Sequence, residues 1–174
     1  MCLVLIAWRT DAKHPCVIAA NRDELHSRPA AAAQWWQSSP PILAGRDLLA
    51  GGTWLGITRT GRFAALTNYR DPEQRRDGTP SRGALVTSIL ESGDTALQSL
   101  DYLREVGGRY NGFNLIFSDG ERLAIYESVP GAGRRARARP RHLWTVESLV
   151  GHALAEGADR QIASGNGVGE SAEH

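Results

Sequence analysis

Two apolar runs of strand length open the chain, LVLIAW at 3–8 and CVIAA at 16–20, separated by the polar, turn-forming RTDAKHP. Short apolar stretches bounded by turn residues predict a β-hairpin. The second run ends in NRDE, residues 21–24, which leaves an amide, a guanidinium and two carboxylates at a strand end. Residues 25–41, with Ala30 to Ala33 and the SSPP of 38–41, read as loop. TWLGIT at 53–58 and RFAALTN at 62–68 flank an RTG turn and predict a second hairpin, followed by a polar loop over 69–80. In RGALVTSILES and TALQSLDYLREV the apolar residues recur three and four apart, so two short helices broken at Gly93 are expected. Phe113 to Phe117 and Leu123 to Tyr126, around SDGE, predict a third hairpin. Strands, then two helices, then strands indicate an α+β or layered α/β class.

Composition narrows the function more than the fold. With 174 residues, 41% of them hydrophobic, the chain suffices for one domain with a real core or for part of a larger one. A net charge of +1 gives no bulk attraction to nucleic acid. Cys2 and Cys16 make no disulfide framework, and no CxxC or His-rich metal spacing occurs, so no metal and no resident cofactor are expected. A reducing, cytoplasmic setting is the default. The N-terminal apolar run has no basic flank and is too short for a signal peptide or a membrane span. The expected partner is a small-molecule ligand or substrate, and no residue pattern fixes an oligomeric state.

Several stretches hold candidate chemistry. Removal of Met1 would give Cys2 a free α-amino group with a pKa of about 7.7–8.0, so one residue would supply both nucleophile and base. The same thiol also reads as a small buried packing residue. In a suitable hairpin register Arg22 would stabilise a thiolate and Asp23 would hold the α-ammonium, with Asn21 and Glu24 as ligand contacts; alternatively Arg22 and Asp23 cap a turn and pair with each other. GRDLLAGGTWLG, residues 45–56, puts a Gly-Gly turn and Trp54 where backbone N–H groups would approach a ligand, but it matches neither GxGxxG nor a P-loop. TNYR, residues 67–70, offers Asn68 as an oxyanion donor and Arg70 as a carboxylate clamp. Asn111 and Gly112 read most simply as a turn, and His14 and His26 as solvated loop residues.

Taken together, MCLVLIAW, AANRDE, AGRDLLAGGTWLG, TNYRDP, SRG and YNGFNL resemble, in order and spacing, the NRDE family, also called the transport and Golgi organisation 2 family. The resemblance runs from Met1 to about Gly133. It implies the N-terminal part of an Ntn-hydrolase-like αββα sandwich, similar to acylases in which an N-terminal cysteine attacks an amide C–N bond. By that analogy Cys2 is nucleophile and base, Asp23 orients its amine and Asn68 assists the oxyanion. Arg22 is carried over less directly, because the acylases space the arginine and aspartate differently. The resemblance equally implies a rival, a non-enzymatic protein of haem trafficking or of acyl-lipid or acyl-CoA binding, with haem as a ligand.

The tail reads differently. From Arg134 it runs RRARARPR, five arginines in eight residues, which suggests a basic arm for nucleic acid or membrane, or a solvated, disordered tail. A third reading outranks both. Codons from Arg137 read one base later can spell a continuation close to the family's GIYGLSN and LDTPWPK segments. Residues 1–133 are therefore expected to form the incomplete domain, and 134–174 a disordered, out-of-frame tail. On this expectation the chain as written lacks an oxyanion asparagine and the rest of its sandwich, and is unstable or inactive.

Overall fold

The computed structural model describes residues 3–69 and 75–128, which form eight strands and two α-helices. Strands β1 (Leu3–Trp8) and β2 (Cys16–Asn21) form the expected antiparallel hairpin, with Leu3 opposite Asn21 and Trp8 opposite Cys16. The remaining strands make one antiparallel sheet in chain order: β3 (Ala30–Trp35), β4 (Ile42–Asp47), β5 (Leu55–Thr58), β6 (Phe63–Asn68), β7 (Phe113–Ser118) and β8 (Leu123–Ser128). Helices α1 (Gly83–Glu91) and α2 (Ala96–Val106) cross between β6 and β7. This is an α+β arrangement.

Periodicity explains the packing. Leu85, Val86, Ile89 and Leu90 of α1, and Ala96, Leu100 and Leu103 of α2, bury against Ile42, Ala44, Ala64, Leu66, Leu115, Phe117 and Ala124 of the sheet. Phe63, one position out of phase with Ala64, points to the opposite face, where Trp8 of the hairpin meets it at a ring-centroid distance of 6.2 Å. The layers are thus helices, six-stranded sheet and two-stranded hairpin. Apolar Leu5 and Val17 on the hairpin, and Ile57 beside Phe63, remain exposed.

Local chemistry fixes the element ends. Thr95 and Gln98 form a reciprocal capping box at the start of α2, the Thr95 hydroxyl accepting from the Gln98 N–H while the Gln98 Oε1 accepts from the Thr95 N–H at 2.9 Å. Asp119 reinforces that end from the β7–β8 turn, its Oδ2 accepting from the Ala96 N–H at 2.7 Å and its Oδ1 from Glu121 and Arg122. Arg9, in the β1–β2 loop, has a positive φ of 55° and donates to the Glu121 carbonyl at 2.6 Å, tying the hairpin loop to the same turn.

One expectation is corrected: residues 25–41 are not all loop, since Ala30–Trp35 forms β3; a further strand that the sequence reading did not assign, β4, follows at Ile42–Asp47. β3 is an edge strand with mostly exposed residues, so it needs no apolar alternation, and its alanines carry little strand propensity. β4 does alternate, with Ile42 and Ala44 buried, but Gly45 and the charged Arg46 and Asp47 mask so short a pattern. The expectation of an out-of-frame tail at 134–174 lies outside the described residues.

Candidate functional site

The hairpin register brings the start of β1 and the end of β2 together, so Arg22–Glu24 leave β2 beside Leu3. Cys2 lies outside the described residues, one peptide bond before Leu3. At the end of β6, Asn68 pairs with Phe113, and the Tyr69 N–H donates to the Gly112 carbonyl at 3.0 Å. Between these strand ends opens a cleft of about 450 Å³, whose lining includes Arg22, Asp23, Glu24, Trp54 and Asn68. Five residues singled out in the sequence therefore share one cavity. Asn21 sits at the last paired position of β2 and is not among the lining residues; Arg70 lies outside the described residues.

Glycines set the floor. A Cβ on Gly52 would stand 2.6 Å from the Gly83 carbonyl carbon, and one on Gly83 would stand 3.0 Å from the Thr53 oxygen. Only hydrogen at both positions lets the GGTW loop lie against the start of α1. Both residues line the cleft.

Ion pairs shape one wall. Arg28 donates through Nε to Asp47 Oδ2 at 2.7 Å, and Arg22 reaches Glu24 at 3.4 Å and the same Asp47 oxygen at 3.9 Å. The pairing of Arg22 is thus with Glu24 and Asp47, while Asp23 has its own interaction. Asp47 Oδ1 also accepts from the Leu49 and Ala50 N–H groups. Burial pushes the Asp47 carboxyl up, but the Arg28 hydrogen bond and the two N–H groups outweigh it and hold the pKa below the usual value. Asp119 behaves alike: burial raises it, and the Ala96, Arg122 and Glu121 N–H groups bring it down.

Acid sensitivity follows. A carboxyl whose folded pKa is depressed binds fewer protons folded than unfolded, so its stabilisation is complete above the unfolded value of about 3.9 and disappears as pH falls through the folded one. We expect the melting temperature to hold steady from pH 7 to 5 and to fall below pH 4. Asp47→Asn should lower it at pH 7, by roughly 1–3 kcal/mol of stability, because Arg28 then lacks its charged partner, and should flatten the acid limb. Thermal denaturation followed by circular dichroism across pH 3–7 reads both effects.

The opposite wall is the loop leading into α1. Asn111 clamps it: its Oδ1 accepts from the Arg76 N–H at 2.8 Å, while its Nδ2 donates to the Arg76 carbonyl at 2.8 Å and to Thr79 Oγ1 at 2.7 Å. The Arg76 guanidinium turns away to the Gly108 and Tyr110 carbonyls. Arg82 Nη1 donates to the Gly112 carbonyl at 2.8 Å. Burial depresses the Arg82 pKa first, and the neighbouring guanidiniums of Arg75 and Arg28 add to that, against an opposing pull from Glu24.

Sequence reasoning read Asn111 as a turn residue and assigned no role to Arg28, Asp47, Arg76 or Arg82. Asp47 and Arg82 stand in the GRD and SRG triplets, whereas Arg28 and Arg76 fall in no stretch that the sequence singles out. Among the described residues, no group of three or more His, Cys, Asp or Glu side chains is arranged to hold a metal, and no helix is long and apolar enough to cross a membrane.

An α+β layer structure with a polar, arginine-lined cleft at the NRDE strand end defines the class. The family model for Transport and Golgi organisation 2 matches residues 1–153, and the chain belongs to that family. The match extends past Gly133, where the resemblance read from motifs stops. The Transport and Golgi organization protein 2 homolog of Bos taurus is 48% identical over 109 residues, covering 59% of this chain and 38% of the bovine protein. The Homo sapiens homolog is 47% identical over 109 residues, with the same coverage of 59% and 38%. Transport and Golgi organization protein 2 of Drosophila melanogaster is 27% identical over 148 residues, 75% of this chain and 52% of the fly protein. The chain thus spans well under two thirds of the length of these relatives.

Proposed function

We propose that the cleft is the substrate site of an N-terminal-nucleophile amidohydrolase acting on a non-peptide C–N amide. The observation that supports this reading is convergence: Arg22 and Asp23 at the end of β2 and Asn68 at the end of β6 line one cavity at the end of the hairpin whose first strand follows Cys2 directly. After loss of Met1, the Cys2 amine takes the thiol proton and the thiolate attacks the amide carbonyl. The Asn68 amide donates to the developing oxyanion, and Asp23 holds the α-amino group as it becomes an ammonium. Collapse of the tetrahedral species transfers that proton to the leaving amine, and water then releases the acyl group from sulfur. Arg22, pinned by Glu24 and Asp47, favours the thiolate.

The rival, a carrier of haem or an acyl lipid, finds less support in this cavity. Its lining is dominated by charged and polar residues, whereas a flat macrocycle or an acyl chain is normally held by apolar walls. Because Arg22, Asp23 and Asn68 all line the cleft, the full chain should, against the inactivity expected from its tail, hydrolyse at least one member of a panel of N-acyl amines. Asp23→Asn should cut kcat/KM by on the order of 10²-fold, the scale of a general acid–base contribution, with the melting temperature unchanged within a few degrees. Turnover unaffected by this change would remove Asp23 from the mechanism.

A further inference from the structure

The cleft's charges are not evenly matched. Among the described residues its lining contains six arginines, Arg22, Arg28, Arg46, Arg75, Arg76 and Arg82, of which the Arg76 guanidinium turns away to the Gly108 and Tyr110 carbonyls, against four carboxylates, Asp23, Glu24, Asp47 and Asp77. At the NRDE wall the signs balance, since Arg28 and Arg22 are taken up by Asp47 and Glu24. At the α1 wall they do not. Among the described residues, Arg82 meets a neutral carbonyl rather than a carboxylate, and Arg75 pairs with Asp77 at 4.0 Å, both side chains largely in solvent, where such a pair neutralises little. Glu24, which attracts Arg82, is already engaged by Arg22.

We propose that the Arg82–Arg75 end of the cleft is a subsite for an oxyanion, a carboxylate or phosphate carried by the ligand. Arg82 is the anchor: half-buried, its guanidinium is fixed at Nη1 by the Gly112 carbonyl, so its remaining N–H donors meet an anion at little entropic cost. Arg75 adds a mobile second charge from the rim. The Asn111 clamp holds the loop between these two arginines in place. Resting on the amide-hydrolysis reading, this makes the substrate an anionic amide, with its charged group at the α1 wall and its scissile carbonyl near Asn68.

The test is calorimetric titration of the full chain with inorganic phosphate and, separately, with acetate. The wild type should bind at least one of them saturably, and the tighter one identifies the group. Arg82→Gln should weaken binding at least tenfold and Arg75→Gln several-fold. Arg109→Gln, which removes the same charge from an exposed position outside the cleft, should change it less than twofold. Absence of binding to both anions, or equal losses in the Arg82 and Arg109 variants, overturns the proposal. If Arg82→Gln fails to fold, the exposed Arg75→Gln decides alone, and an unchanged affinity there counts against the subsite. Anion binding without any amide hydrolysis would reject the hydrolase and keep the subsite, and hydrolysis without anion binding would do the reverse.

Discussion

Cys2→Ser is expected to abolish amide hydrolysis while leaving the fold in place. A serine hydroxyl is a far weaker nucleophile when its only base is an α-amine with a pKa near 8. Loss of the nucleophile typically costs 10³-fold or more in kcat. Structure should be insensitive to the change, because the hairpin is held by the β1–β2 ladder, from Leu3–Asn21 to Trp8–Cys16, and by Trp8 on Phe63. Turnover of a panel of N-acyl amines, with a thermal melt on the same sample, separates the two effects. A serine variant that keeps more than about a tenth of wild-type turnover would place the nucleophile elsewhere.

Gly52→Val should be the most damaging single change to stability at the site. Its Cβ would lie 2.6 Å from the Gly83 carbonyl carbon and 2.8 Å from the Gly83 oxygen. Both contacts are backbone, at the start of a helix whose Leu85 and Val86 are fully buried, so neither side can give way cheaply. Overpacking of this kind costs about 3 kcal/mol, or roughly 6–12 °C in melting temperature for a chain of this size. Gly51→Ala is the matched comparison: Gly51 has a φ of +79° with nothing within 4 Å, so only the backbone penalty of about 1–2 kcal/mol applies. A Gly52→Val melt within 2 °C of wild type would show that the GGTW loop and α1 can separate freely.

Much of the fold was legible because its signals are local. Hairpin β1–β2 is two apolar runs around RTDAKHP, and α2 carries both a capping box and apolar spacing at Ala96, Leu100 and Leu103. Strand β3 was not legible, since an exposed alanine edge strand is selected by its partner β4 and not by its own pattern. The site divides the same way. NRDE, Trp54 and Asn68 stood out as polar or aromatic residues at strand ends; the β5–β6 register brings Trp54 and Asn68 to one end of the sheet, and NRDE arrives on the hairpin that packs over it through Trp8 and Phe63. Asn111 and Arg82 act through the loop before α1, and that contact spans about thirty residues of sequence between Arg76 and Asn111 or Arg82 and Gly112, beyond any local pattern. Only the fold shows that the turn residue is a clamp.

Whether Cys2 is the reactive thiol of the NRDE cleft is decided by limited alkylation of the full chain followed by intact and peptide mass measurement. The expected result is a mass lacking Met1 and one rapid label on Cys2, slowed in Arg22→Gln. Cys16 should label later, because it is half-buried and burial pushes its thiol pKa up. Retained Met1, or a Cys2 no more reactive than Cys16, would contradict it.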